Sequence, residues 1–183
     1  IERSKILGLH GMSKDAWKRF SDEGFKHYQV VECGFKHNMT DMQAALGLHQ
    51  LKRVDAWWER RRQIWARYQE VFRGLPIGRP AEPEPGTRHA YHLYTILVDE
   101  KDAGLPRDRF INEMTHRKIG VGVHYLSLTD HPFYQQTFGW SEKTAPAATR
   151  IGHRTVSLPI SAKLSDQDVE DVIAAVKDVL ACA

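Results

Sequence analysis

The chain has 183 residues, 42% hydrophobic and 27% charged, which is long enough for a buried core and typical of a globular protein. Its net charge of +3 argues against the concentrated positive surface of a nucleic-acid-binding protein and fits small anionic ligands better. No apolar run approaches the roughly 20 residues of a membrane span, so no membrane association is predicted. The two cysteines, Cys33 and Cys182, lie near opposite ends of the chain and do not indicate a disulfide framework, so we predict a cytoplasmic protein.

Two helices are predicted in the first part of the chain. Thr40 can cap a helix over about 41–53, with Gln43 at the capping-box spacing. Apolar residues at helical spacing predict a longer helix over about 55–74. The four prolines within 76–87 cannot belong to a helix or a central strand, so an internal boundary is expected there.

The second part of the chain alternates predicted strands and helices. β-branched and aromatic residues predict strands at 91–98, 119–125 and 157–160. A short helix is predicted after Pro106, and a final helix with a clean apolar stripe is predicted after a cap at Ser165. This order is typical of a small α+β domain with helices on a short sheet.

Histidines at several positions raise the question of a metal site, especially His89 with His92 and His124 with His131. In a strand, His89 and His92 would lie on opposite faces, because side chains alternate along a strand. No carboxylate or cysteine stands at a spacing that would complete a ligand set. We therefore predict no metal site.

The arginine-rich run 59–62, near tryptophans, could follow a phosphate backbone. On a helix, however, these cations spread over more than one face, and a long amphipathic helix needs a solvated side. A solvated helix face is the better interpretation, so nucleic-acid binding is not predicted.

The segment 34–41 places a cation, an imidazole and an amide directly before a capped helix. Such a helix start gathers unpaired backbone N–H groups and favours a phosphate group. From these residues alone, a phosphate-binding segment and a simple capped loop are equally good interpretations.

A series of motifs runs along essentially the whole chain: residues 9–11 (Leu-His-Gly), 34–51 (beginning Gly-Phe-Lys-His-Asn-Met-Thr-Asp), 89–94 (His-Ala-Tyr-His-Leu-Tyr), 119–125 (Ile-Gly-Val-Gly-Val-His-Tyr), 131–134 (His-Pro-Phe-Tyr) and 157–159 (Ser-Leu-Pro). In this order they resemble the DegT/DnrJ/EryC1/StrS family of pyridoxal-phosphate (PLP)-dependent sugar aminotransferases. Within the family, the triplet Lys36-His37-Asn38 and the turn ending His124-Tyr125 look closest to the UDP-4-amino-4-deoxy-L-arabinose aminotransferase branch. Many relatives have Asn-Tyr-Arg in place of that triplet, so the side chains that face the phosphate can differ here.

The resemblance implies the C-terminal part of a fold-type-I PLP transferase, an α/β architecture that ends in a small α+β domain. By that analogy, residues 1–75 are the tail of the large cofactor-binding domain with its interdomain helix, and residues 76–183 are the small domain. It further implies that Lys36 and Asn38 bind the cofactor phosphate of the neighbouring subunit in a homodimer. His37, His124 and Tyr125 would bind the sugar nucleotide.

The implied reaction moves an amino group from glutamate to a nucleotide-linked keto-sugar through PLP, which acts as the electron sink. In relatives the Schiff-base lysine precedes the Leu-His-Gly motif, and none of the lysines in this chain has a matching context. No catalytic residue is therefore assigned within the chain, and the chain alone is expected to be inactive. Two alternatives remain, because the deciding lysine position precedes residue 1: a PLP-dependent sugar dehydratase of the same family, or a cofactor-free domain for sugar-nucleotide binding and dimerisation.

Overall fold

The computed structural model of the chain describes residues 1–13 and 29–182. The chain divides between Arg53 and Val54 into two units. The first is described by two helices and short backbone bridges, and the second by a two-stranded sheet with helices.

The first unit contains helices α1 (Glu2–Gly8) and α2 (Asp41–Leu51). The predicted cap of α2 is confirmed: the Thr40 hydroxyl accepts from the Gln43 backbone N–H at 3.3 Å, and the Gln43 side chain accepts from the Thr40 N–H at 2.9 Å. This reciprocal pair satisfies two backbone donors that the helix itself cannot satisfy. The start of α2 is therefore fixed by local sequence.

Helix α2 contains no buried residue. Several large apolar side chains on and before it are more than half exposed: Met39, Met42, Leu46, Leu48 and Leu51. Helix α2 therefore has a large exposed apolar surface.

The second unit is built around an antiparallel pair of strands, β1 (Tyr94–Leu97) and β2 (Thr155–Leu158), with Tyr94 opposite Leu158 and Leu97 opposite Thr155. Six helices of this unit are α3 (Val54–Val71), α4 (Glu100–Ala103), α5 (Arg107–His116), α6 (Pro132–Phe138), α7 (Pro146–Gly152) and α8 (Asp166–Ala181). Short 3-10 turns lie at Leu128–Asp130 and Glu142–Thr144.

The core of the second unit lies between the sheet and helices α3, α5 and α8. Its fully buried aromatic residues include Tyr68 of α3, Phe72 directly after that helix, Tyr94 of β1 and Phe110 of α5. Helix α8 contributes an aliphatic stripe of Val169, Val172, Ile173, Val176 and Val179. Residues that recur at helical spacing in the sequence thus form a large part of the core.

Both outer edges of the sheet carry a single further bridge. Gly78 pairs with Leu97 beside β1, and Gly122 pairs with Ser157 beside β2. The predicted strand over 119–125 is therefore wrong, since only Gly122 within it pairs. Lys118 has a left-handed backbone (φ 64°), and the Ile119 N–H donates to Met114 O at 3.0 Å, so the first residue of that segment still closes α5.

The predicted strand over 91–98 is shorter than expected. It begins at Tyr94, because Tyr91 has a positive φ of 48° and cannot be extended there. His89 and His92 precede the strand, so they do not lie on opposite strand faces as expected. Helices α6 and α7 were not predicted, although each has proline at its first turn, which is a recognised start signal.

The predicted domain boundary at residue 75 concerns the complete protein and stays a prediction. Within this chain, α3 belongs to the second unit, where Ile64, Trp65, Tyr68 and Phe72 join the core. No helix within residues 1–13 and 29–182 is long and apolar enough to cross a membrane.

Candidate functional site

The triplet Lys36-His37-Asn38 lies in an exposed segment between α1 and α2. Lys36 is bridged to Leu9, and the His37 N–H donates to Gly8 O at 2.8 Å. Backbone bonds therefore fix this segment against the end of α1, while the Lys36 and Asn38 side chains remain open to solvent.

Two glycines allow the backbone beneath this segment to approach closely. A Cβ on Gly34 would lie 2.1 Å from the Gly11 nitrogen, and a Cβ on Gly11 would lie 1.7 Å from the Glu32 carbonyl oxygen. Gly11 also has a left-handed backbone, with φ of 72°. Only glycine fits at these two positions.

The side chains of the triplet suit an anion. The Lys36 ammonium offers three donors and the Asn38 amide offers two, while the His37 ring stacks on Phe35 with centroids 5.2 Å apart. Asn38 precedes the capped start of α2 by two residues. This donor set fits a phosphate group, and the phosphate role of segment 34–41 stays a prediction.

The second candidate place lies in the other unit, next to β2. His124 is half-buried, and its Nδ1 lies 2.9 Å from the Ser157 hydroxyl. The Tyr125 ring is 76% exposed and meets the His124 ring edge-on, with centroids 4.9 Å apart. The structure thus brings His124 and Tyr125 together at one surface.

Tyr125 also lines an apolar pocket of about 460 Å³, together with Leu128, Trp140 and Ile151. In its wall, a chain of buried hydroxyls runs from Ser127 to Thr129 at 2.6 Å and on from Thr129 to Thr149 at 2.7 Å. The sequence did not suggest these hydroxyls, because Thr149 is 20 positions from Thr129 and no periodic pattern joins them. They bond mainly to one another and act as the scaffold of the pocket.

Two other histidines, His89 and His153, make contacts away from these two places. His89 Nδ1 accepts from the Tyr91 N–H at 3.1 Å, and His153 Nε2 lies 3.0 Å from Asp130 Oδ2. In the described part of the chain, no group of three or more His, Cys, Asp or Glu side chains could hold a metal ion.

Three arginines of α3 form ion pairs within their own unit. Arg60 pairs with Asp166 at 2.7 Å, Arg62 with Glu59 at 2.7 Å, and Arg67 with Glu170 at 2.8 Å. The hydrogen bond from Arg67 holds the pKa of Glu170 below its ordinary value. These pairs are typical of a solvated helix face.

Comparison with known proteins gives one consistent result. A model of the DegT/DnrJ/EryC1/StrS aminotransferase family matches residues 1–177. SpsC, a spore coat polysaccharide biosynthesis protein of Bacillus subtilis, is 46% identical over 181 residues, which cover 98% of this chain and 46% of SpsC. The chain spans about half the length of the curated relatives it matches.

Solved structures agree with this result. The sugar aminotransferase Spr1654 of Streptococcus pneumoniae, in its PMP form, is 32% identical to this chain, with a TM-score of 0.76. The match covers 97% of this chain and 42% of Spr1654, and the PLP form of Spr1654 has the same TM-score. PseC of Helicobacter pylori, an aminotransferase involved in the biosynthesis of pseudoaminic acid, is 26% identical, with a TM-score of 0.75 over 98% of this chain and 45% of PseC. The predicted fold class, part of a fold-type-I transferase that includes a small mixed domain, is confirmed.

Proposed function

Because the chain belongs to the DegT/DnrJ/EryC1/StrS aminotransferase family, we propose that it is the C-terminal portion of a PLP-dependent enzyme that moves the amino group of glutamate to a nucleotide-linked keto-sugar. The complete protein would act in the cytoplasm as a homodimer. Family membership over residues 1–177 carries this proposal. The sugar-related descriptions of SpsC and PseC support the substrate class.

Lys36 and Asn38 would hold the cofactor phosphate. Both side chains are exposed and offer several donors, and both lie on a segment that backbone bonds fix to the end of α1. An ammonium group neutralises phosphate charge, while an amide orients the group by directed hydrogen bonds. When bound, PLP supplies the electron sink of transamination. Lys36 and Asn38 would fix the position of the cofactor in the neighbouring subunit of the dimer.

His124, Tyr125 and His37 would bind the sugar nucleotide. His124 is half-buried beside β2, so its ring orientation is restrained, and Tyr125 offers an exposed ring and hydroxyl. His37 stacks on Phe35 and presents an exposed imidazole. An aromatic ring can pack on a sugar or base, and imidazole N–H groups can donate to sugar or phosphate oxygens.

The test uses the complete protein, extended upstream to its natural start. PLP is added, the visible spectrum is recorded, and the sample is reduced with borohydride before peptide mapping. A lysine adduct upstream of His10 would support the aminotransferase. Cofactor bound without a lysine adduct would instead favour a dehydratase of the same family, and no bound cofactor would leave a cofactor-free sugar-nucleotide-binding domain.

The 183-residue chain alone serves as the matched control. None of its lysines has the family's Schiff-base context, so we expect no borohydride adduct at a specific lysine and no transfer of a ¹⁵N-labelled amino group from glutamate. Transfer by the isolated chain would contradict the proposed division of roles between the two halves.

A further inference from the structure

The hydroxyl of Ser157 is a buried partner of the His124 ring. Ser157 lies in β2 and is 5% exposed, and its Oγ is 2.9 Å from His124 Nδ1. Within residues 1–13 and 29–182, Nδ1 is the only hydrogen-bond partner of that hydroxyl.

This arrangement selects one form of the neutral imidazole. Most buried hydroxyls have a hydrogen-bond partner, and Nδ1 can accept the Ser157 hydroxyl proton only when it carries no proton itself. The ring proton then resides on Nε2. Which nitrogen of a histidine carries the proton is generally set by the hydrogen bond that the other nitrogen makes.

Two features of the backbone keep the ring at this distance. Gly122 and Ser157 exchange backbone hydrogen bonds of 3.1 Å and 2.7 Å, so the segment that carries His124 is attached to β2 at Ser157 itself. A Cβ on Gly122 would lie 2.9 Å from His124 Cε1, so the absence of a side chain there makes room for the imidazole. The Tyr125 ring lies edge-on to the imidazole.

We propose that Ser157 is a positioning residue that holds His124 with its proton on Nε2, so that Nε2 donates a hydrogen bond to an oxygen of the bound sugar nucleotide. This inference rests on the proposed function, because it assigns the ligand of His124. Ser157 itself contacts no substrate and acts only through the ring.

The first test measures the tautomer directly. The complete protein with bound PLP is labelled with ¹⁵N-histidine, and the His124 resonances are assigned by comparison with His124→Ala. We expect the Nε2–H form in the unmodified protein and a mixture of both tautomers in Ser157→Ala. An identical tautomer ratio in the two proteins, or the Nδ1–H form in the unmodified protein, would overturn the inference.

Thr155→Val is the matched control for this test. Thr155 lies in the same strand, and its buried hydroxyl has no hydrogen-bond partner in the described part of the chain. We expect its removal to leave the His124 tautomer unchanged. A tautomer change in Thr155→Val as large as that in Ser157→Ala would assign the effect to β2 packing and overturn the specific role of Ser157.

The second test measures binding of UDP-glucose and of dTDP-glucose to the same holoprotein. We expect Ser157→Ala to raise the dissociation constant of whichever nucleotide sugar binds more tightly by about twofold to tenfold, which is the scale of one hydrogen bond. In a His124→Ala background, Ser157→Ala should weaken binding no further. Equal weakening in both backgrounds would overturn the assignment. An Nε2 resonance that neither nucleotide sugar shifts would overturn it as well. Neither outcome affects the borohydride test of the cofactor.

Discussion

The phenol of Tyr68 donates a hydrogen bond to the main-chain carbonyl oxygen of Pro159, at 2.9 Å. The two residues come from α3 and from the turn that follows β2. Burial raises the pKa of Tyr68 well above its ordinary value, so the hydroxyl keeps its proton and remains a donor. The bond ties the long helix to the end of the sheet.

Tyr68→Phe should lower the stability of the chain by about 1 kcal/mol, because the half-buried Pro159 loses the hydrogen bond to its carbonyl while the ring packing stays. Urea unfolding followed by circular dichroism measures the change. The control is Tyr134→Phe, which removes a hydroxyl that makes no hydrogen bond in the described part of the chain. Equal midpoints for Tyr68→Phe and the unmodified chain would show that the bond contributes no net stability.

The cap of α8 predicts a stability change at acidic pH. The Ser165 hydroxyl and N–H donate to Asp168 at 2.7 and 2.8 Å, and these bonds hold the pKa of Asp168 below its ordinary value of 3.8. A carboxyl whose pKa is lowered in the folded state contributes its full stabilisation above pH 3.8, the pKa it has in the unfolded chain. This contribution is lost as the pH falls through its lower pKa in the folded state.

Urea unfolding between pH 2 and pH 7 measures the stability of two variants of this cap against that of the unmodified chain. Asp168→Asn should be less stable than the unmodified chain at neutral pH, and the difference should shrink on acidification. Ser165→Ala should cost about 1 kcal/mol, the usual loss for an N-cap. A pH-independent difference for Asp168→Asn would contradict the lowered pKa.

Asn38→Ala in the complete protein should weaken PLP binding by roughly tenfold to a hundredfold, since a hydrogen bond to a charged group would be lost. Fluorescence titration of the apoprotein with PLP measures the dissociation constant. Asn112→Ala, which changes an exposed amide on α5, is the matched control. Unchanged affinity in Asn38→Ala would count against the phosphate role.

His124→Ala in the complete protein should raise the Michaelis constant for the keto-sugar nucleotide by about tenfold, with little effect on PLP affinity. His116→Ala, which removes an exposed imidazole at the end of α5, is the control. If both the Michaelis constant and the turnover stayed unchanged in His124→Ala, the substrate-binding role would be withdrawn.

A methyl group at Gly122 should displace the His124 ring, because its Cβ would lie 2.9 Å from Cε1. Gly122→Ala is therefore expected to raise the same Michaelis constant while the urea midpoint changes little. At Gly120 no atom lies within 4 Å of an added Cβ, so Gly120→Ala should leave both quantities unchanged. Similar kinetics for the two variants would argue against the described ring position.

The sequence predicts well where the interactions are local. The caps at Thr40 and Ser165 lie three residues from their partners, Gln43 and Asp168, so their spacing alone predicts where α2 and α8 begin. The apolar stripe of α8 is likewise visible in the periodicity.

Pairing over long distances could not be predicted in this way. The segment 119–125 has strand-like composition, but its pairing depends on β2, more than 30 residues later, and only Gly122 makes a bridge. For the same reason the sequence places Ser157 in a motif and a predicted strand but gives no signal for its proposed role beside His124, which rests on the hydrogen bond across that bridge.

The single bridges at Gly78 and Gly122 also bear on solubility. A two-stranded sheet exposes one row of unpaired backbone groups along each outer edge, and such rows are templates for aggregation with other chains. Here each strand is four residues long, and one position on each outer edge already bonds to its own chain. Neither edge therefore offers an uninterrupted run for another strand to join, and the small sheet is protected from edge-to-edge growth.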